Sequence, residues 1–231
     1  MTAELNTADQ IRPASGAEQD GPTELSMLAE LRTLADHSPN RARSEAWDYL
    51  REVGGRDDRE ALSTLFGAGT DPQGLDGKLE GLIVGKLFGI PEAALANPLM
   101  KIDPTWRGKS FDQRSGTGLN RLSPIAGLVM PIITAGYLGL RRVDREMEGF
   151  HFDHEPSLGL IEPKVRVRAL DYGVPKYKNP GVRTFPIRKT RDEIVELVPG
   201  VYLGRALLFR SSGEIRLIAY FALRHPIGSP L

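Results

Sequence analysis

The chain has no cysteine among its 231 residues. That excludes a disulfide framework, a thiolate metal centre and a cysteine nucleophile. It also has no long uninterrupted apolar run. The best stretch, Ile125 to Leu140, is broken by Pro131 and by Gly127, Gly136 and Gly139, and it falls short of the ~20 residues that a bilayer-spanning helix needs. Net charge is missing too. The 30 basic residues balance 30 acidic ones, which argues against the phosphate neutralisation on which general nucleic-acid binding rests. The amino terminus, MTAELNTADQIRPASGAEQDG, lacks the basic-then-apolar pattern of a secretory signal. There is no GxSxG elbow, no Walker loop and no GxGxxG at a strand–helix junction. These absences predict a soluble, cytoplasmic chain with neither nucleic acid nor a membrane among its partners, and no cofactor.

An apolar fraction of 40% suffices for a real core. Residues 1–22 mix Pro, Gly, Ser, Thr and acids without apolar periodicity, which predicts a disordered tail. Residues 23–75 carry three short helical patterns. Leu25, Leu28, Leu31 and Leu34 follow Thr23 as N-cap; Trp47, Leu50 and Val53 follow Ser44 and stop at Gly54-Gly55; Leu62, Leu65 and Phe66 follow Asp57 or Asp58 and end at Gly67. None is long enough to stand alone in water, so they are expected to pack on the sheet formed after residue 75. From 76 to 231, Gly and Pro punctuate β-type runs. Strands are expected at Lys78–Leu87, Trp106–Asp112, Glu146–His154, Lys164–Tyr172, Asp192–Val198, Val201–Arg210 and Glu214–Arg224. Pro199-Gly200 and Ser211-Ser212-Gly213 join the last three as an antiparallel meander. The predicted class is mainly antiparallel β, a barrel or strongly curved sheet with an N-terminal helical segment, α+β overall. The stretch 125–140 fits a buried strand pair, a helix plugging the barrel mouth or a surface-seeking amphipathic segment.

Several blocks carry a resemblance: Asp76-Gly77-Lys78-Leu79-Glu80-Gly81, Trp106-Arg107-Gly108-Lys109-Ser110-Phe111-Asp112, Gly116-Thr117-Gly118-Leu119-Asn120-Arg121, Leu170-Asp171-Tyr172 and Arg191 to Gly204. Together they resemble an actinobacterial family of hypothetical proteins with no settled activity, over about residues 57–224. More loosely, a Trp beside Gly opening a strand, with Arg224 on the final strand, looks like the lipocalin and nitrobindin-type barrels. That likeness implies a barrel enclosing a small apolar ligand.

The zero net charge is a local cancellation. Nine basic residues (Lys164, Arg166, Arg168, Lys176, Lys178, Arg183, Arg188, Lys189 and Arg191) stand against the single acid Asp171, after a stretch from Asp144 to Glu162 with six acids and one Arg. A basic rim attracts a carboxylate, a phosphate or an acidic carrier protein; the same residues also fit the wetted face of a sheet. Asp192 and Glu193 point to opposite faces of a strand, so at least one can point inward. An inward carboxylate is either ion-paired, with Arg191, Lys109 or Arg224, or a proton-transfer group with a raised pKa. Asp171 shares the apolar face of Val165, Val167 and Ala169 and is the acid most expected inside. His151 and Asp153 share a strand face while His154 turns away, too few ligands for zinc, which leaves His151 as a proton shuttle and no metal site.

The expected function is therefore binding of an apolar small molecule with an anionic end, fatty-acyl- or polyketide-like. Trp106, Phe111, Tyr172, Tyr202 and Tyr220 would line its body, and Lys109 or Arg191 would meet its charge. The competing expectation is a cofactor-free cyclase, isomerase or hydrolyase in which Asp171, Glu193 or His151 moves protons. A third is an interaction module whose basic strip docks an acidic partner.

Overall fold

The computed structural model describes residues 23–87, 105–134, 137–182 and 186–229. The expected tail at 1–22 and Arg183 lie outside them. Three helices come first. α1 (Glu24–His37) starts where the Thr23 hydroxyl accepts from the Ser26 N–H, and it buries Leu28, Leu31 and Ala35. α2 (Pro39–Arg56) starts earlier than its sequence suggested. Pro39 provides the first turn, whose N–H groups have no intrahelical partner, and Ser44 lies inside the helix, donating to the Asn40 carbonyl. Gly54 and Gly55 stay helical, and the stop falls at Asp57 with φ 54°. α3 (Arg59–Gly67) is capped by Asp58, as its sequence predicts.

The strands are β1 (Gly77–Val84), β2 (Trp106–Asp112), β3 (Thr117–Leu122), β4 (Arg141–Val143), β5 (Glu146–Leu158), β6 (Arg166–Asp171), β7 (Thr190–Val198), β8 (Val201–Phe209) and β9 (Ile215–Arg224). They form one antiparallel sheet in the order β3-β2-β1-β9-β8-β7-β6-β5-β4, and β3 also pairs with β5, which closes the sheet into a barrel with β4 on its margin. The sequence hid two strands, the three-residue β4 and, with more consequence for closure, β3. Its inward positions are Gly118, Asn120 and Leu122, too small or too polar to register as an apolar alternation.

Two cores result, one on each side of the barrel wall. Outside, α1, α2 and α3 cover Val195, Leu197, Val201, Leu203, Tyr220 and Ala222 with Leu28, Trp47, Leu50, Leu62 and Phe66. Inside, Leu79, Phe111, Phe152, Leu170, Tyr172, Ile194, Tyr202, Phe221 and Leu223 fill the lumen. Burial on both faces explains why β7 to β9 read as nearly continuous apolar runs. One end of the barrel is closed by α4 (Ala126–Ile133), which inserts Ala126 and Met130 into the lumen. Of the three expectations for 125–140, the buried strand pair is the one that does not form: 126–133 is a helix at the mouth, and residues 135 and 136 lie outside the described residues.

Candidate functional site

The lumen is not wholly apolar. Lys109 on β2 points inward, and its ammonium group has three acceptors: Asn120 Oδ1 at 2.9 Å, Tyr172 Oη at 2.5 Å and Asp192 Oδ2 at 2.9 Å. These match the three donors a lysine carries. The Tyr172 hydroxyl in turn donates to Asp192 Oδ2 at 2.8 Å. Asn120 donates to the Phe150 carbonyl at 3.1 Å and to Tyr172 Oη at 3.2 Å, and Trp106 Nε1 donates to Asn120 Oδ1 at 2.9 Å. The register makes this cluster: Lys109 sits opposite Asn120 and Asp192 opposite Leu170, two residues before Tyr172.

Four rings surround the amine, with Nζ 5.5 Å from the Trp106 centroid, 5.3 Å from Phe152, 5.2 Å from Tyr172 and 5.1 Å from Phe221. Burial in this setting pulls the Lys109 pKa down, and the Asp192 charge holds it up. Burial, followed by that same charge, pushes the Tyr172 phenol far above its ordinary value. A cation, a carboxylate and a phenol share one hydrogen-bonded unit in a low-dielectric lumen. Such a unit can bind a polar ligand end or pass a proton.

Of the residues expected to line a ligand, Trp106, Lys109, Phe111, Tyr172 and Tyr202 do face the lumen, and the Tyr202 hydroxyl is tied to the Gln73 carbonyl. Tyr220 does not. It belongs to the outer core under the helices, because β9 turns Phe221 and Leu223 inward instead. Arg191 is also outside, donating to Ser157 Oγ and the Leu158 carbonyl.

The three expected proton-transfer residues never meet. Asp171 does share a face with Val167 and Ala169, but that face is the barrel exterior; it is exposed and accepts from the Gly173 N–H. His151 stacks on Tyr177 outside the wall, and burial lowers its pKa. Glu193 is fully buried, also outside the lumen. Its Oε2 accepts from Arg205 Nη2 at 2.6 Å and its Oε1 from the Leu160 N–H at 2.8 Å. Arg224, expected as a partner for an inward acid, pairs with Glu80 and lies over the Trp47 ring of α2.

The basic strip is likewise divided. Arg168 turns into the far end of the lumen beside Ile194, while Lys176, Lys178, Arg188 and Lys189 are exposed on the outside. Among the described residues no three His, Asp or Glu side chains converge as a metal site. Two open surface hollows, about 600 Å³ beside Asp76 and Asp112 and about 470 Å³ on α1, lie outside the lumen. What sequence reasoning missed is Asn120, together with the Phe152 and Phe221 rings. Asn120 stood only within the Gly116–Arg121 block that carries the resemblance.

Deeper in the lumen His154 lies edge-on to Phe111 and Phe152, against the backbone of Asp112 and Thr117. Burial, then the Arg168 charge, lowers its pKa. The unfolded chain therefore binds a proton here before the folded one does. This contribution to stability is whole above the unfolded value of about 6.5 and is lost as pH falls toward the folded pKa. From neutral pH downward, unfolding free energy should drop with acidification by at most about 1.4 kcal/mol per pH unit for this one group. His154→Phe should flatten the curve relative to the parent chain, as read by urea midpoints across that range.

Comparison with known protein families, with curated proteins and with solved structures returned no match.

Proposed function

We propose that the barrel binds an apolar small molecule with an anionic end, its head at the Lys109 cluster and its body against Trp106, Phe152 and Phe221. A closed β-barrel is compatible with such a role. The observation that carries the reading is the buried Lys109 ammonium within four aromatic rings, balanced by a single carboxylate. A ligand carboxylate would accept from Lys109 in place of Asn120 or Tyr172, and its chain would replace side chains at the mouth. α4 has eight residues, no side-chain hydrogen bond at its N-cap and a proline inside it, so packing of Ala126 and Met130 is what holds it down.

Native mass spectrometry of the protein with hexadecanoate and with hexadecanol tests this. The acid should bind at least about tenfold more tightly, the usual worth of a charged hydrogen bond. The paired replacement Lys109→Met/Asp192→Asn should bind the alcohol as before and lose the preference for the acid. Equal binding of acid and alcohol by the parent chain, or binding of neither, overturns the reading.

A second reading is a cofactor-free cyclase, isomerase or hydrolyase. It is favoured by one observation: Lys109, Tyr172 and Asp192 form a proton-sharing unit in which burial moves the amine and the phenol in opposite directions. An enzyme releases altered product where a binder returns its ligand unchanged, and Tyr172→Phe would separate turnover from affinity.

A further inference from the structure

We infer that the α4 end of the barrel docks on an anionic lipid surface. This rests on the outside of the mouth and stands whether or not the lumen holds a ligand.

The first observation is the outer face of α4. Ile125, Leu128, Val129 and Ile132 recur at i, i+3, i+4 and i+7, which puts them on one side of the helix. All four are exposed, Leu128 at 76% and Ile132 at 81%, and Leu138, just after the helix, is 93% exposed. Ala126 and Met130 meanwhile enter the lumen core. The helix is thus apolar both toward the protein and toward solvent, a pattern that belongs to a helix covered on both sides. An isolated exposed leucine is ordinary; a contiguous row of them with no polar residue between is not.

The second observation is the charge around that row. Arg141, Arg142 and Arg145 are exposed on β4 and the turn after it. Arg142 lies opposite Met147 on β5, and a side chain at Gly127 of α4 would press on the Met147 thioether, so these arginines border the helix directly. On another flank the Tyr137 hydroxyl donates to Asn179, which brings the loop carrying Lys178 alongside. The Arg188 N–H donates to the Pro180 carbonyl, which adds Arg188 and its neighbour Lys189.

The acids nearby are mostly engaged. Glu146 is held by Arg121, Glu148 lies within reach of Lys78, and Asp153 is held by Lys176 and Tyr177, while Asp144 in the β4–β5 turn and Asp171 beside the Arg188 backbone are exposed. An apolar row ringed by Arg and Lys is the arrangement of an interfacial helix, with apolar side chains among acyl chains and cations among anionic headgroups. In the sequence only Arg141 and Arg142 adjoin the apolar stretch, and no membrane partner was expected from them. The fold adds Arg145, Lys178, Arg188 and Lys189.

Flotation with vesicles of equal parts phosphatidylcholine and phosphatidylglycerol tests this directly. Binding should be seen at low salt, weaken as sodium chloride rises, and be far weaker on phosphatidylcholine alone. Leu128→Glu/Ile132→Glu and Arg141→Glu/Arg142→Glu should each lower the partition coefficient at least about tenfold. All four positions are exposed, so both variants should keep the parent melting temperature. Because the chain has no cysteine, an environment-sensitive fluorophore on Leu128→Cys reports insertion alone. It should shift to the blue on anionic vesicles, while the same probe on Glu155→Cys, on the part of β5 remote from α4, should not. The inference is overturned if the parent chain does not float, if both double variants float as it does, or if the Leu128 probe stays unshifted on bound vesicles. It is also overturned if the row instead mediates a concentration-dependent dimer that Leu128→Glu/Ile132→Glu dissolves, with no vesicle binding by the parent.

Discussion

A chain carrying Arg205→Met is expected to lose about 3–5 kcal/mol of stability, the range found when one partner of a buried ion pair is removed. Arg205 and Glu193 are both fully buried between the barrel wall and α3. Glu193 Oε2 accepts from Arg205 Nε at 2.9 Å and from Nη2 at 2.6 Å, the guanidinium also reaches Glu162, and its carbon lies 4.0 Å from the Phe66 ring centroid. Methionine keeps the contact with Phe66 but leaves Glu193 with only the Leu160 N–H and Arg191, whose Nη2 is 3.2 Å away. Adding Glu193→Gln removes the uncompensated charge, so the double variant should be more stable than Arg205→Met alone. Urea unfolding reads both, with the slope unchanged and the midpoint moved. A double variant that falls by the sum of the single losses would show that the two side chains act independently.

That pair also marks where the legibility of the sequence ends. Alternation in Arg191-Asp192-Glu193 correctly sent the two acids to opposite faces. It did not say which face was the lumen, since helices on the outside bury that side too. Asp171 went astray for the same reason: its apolar companions Val167 and Ala169 belong to the wall under and beside the helices. In a barrel with one bare side, an apolar stripe points inward; here it points both ways. The meander of β7, β8 and β9 was plain because its turns are local, Val198 pairing with Val201 across Pro199-Gly200. Closure by β3 against β5 is a pairing between separate hairpins, and β3 reads Thr, Gly, Leu, Asn, Arg, Leu, which carries no β-type run. Lys109 was legible as one of three cations that could pair an inward carboxylate or meet a ligand's anionic end. Of its partners, Asp192 was legible as an inward acid that Lys109 could pair and Tyr172 as a lining residue, whereas Asn120, brought by β3, was not.

Lys109→Met is expected to be as costly as Arg205→Met, again about 3–5 kcal/mol, with a pH signature that Arg205→Met need not share. The parent lumen holds a balanced pair: the Lys109 ammonium and the Asp192 carboxylate 2.9 Å apart, the latter also accepting from Tyr172. Methionine fills nearly the same space and leaves Asp192 buried with the Tyr172 phenol as its donor. Desolvation then favours the protonated acid, so the folded-state pKa of Asp192 in the variant rises above the unfolded value of about 3.9. A group raised in this way contributes stability that is whole below the unfolded pKa and is lost as pH climbs through the folded one. The deficit of Lys109→Met relative to the parent should therefore shrink as pH falls from neutral toward the unfolded carboxylate value, opposite in sign to the histidine effect. Lys109→Met/Asp192→Leu, which removes both charges, should recover most of the loss and show no such dependence. A deficit in Lys109→Met that stays constant over that acid range would mean that Asp192 is neutralised by something other than Lys109, and would detach the carboxylate from the cluster on which the ligand site is built.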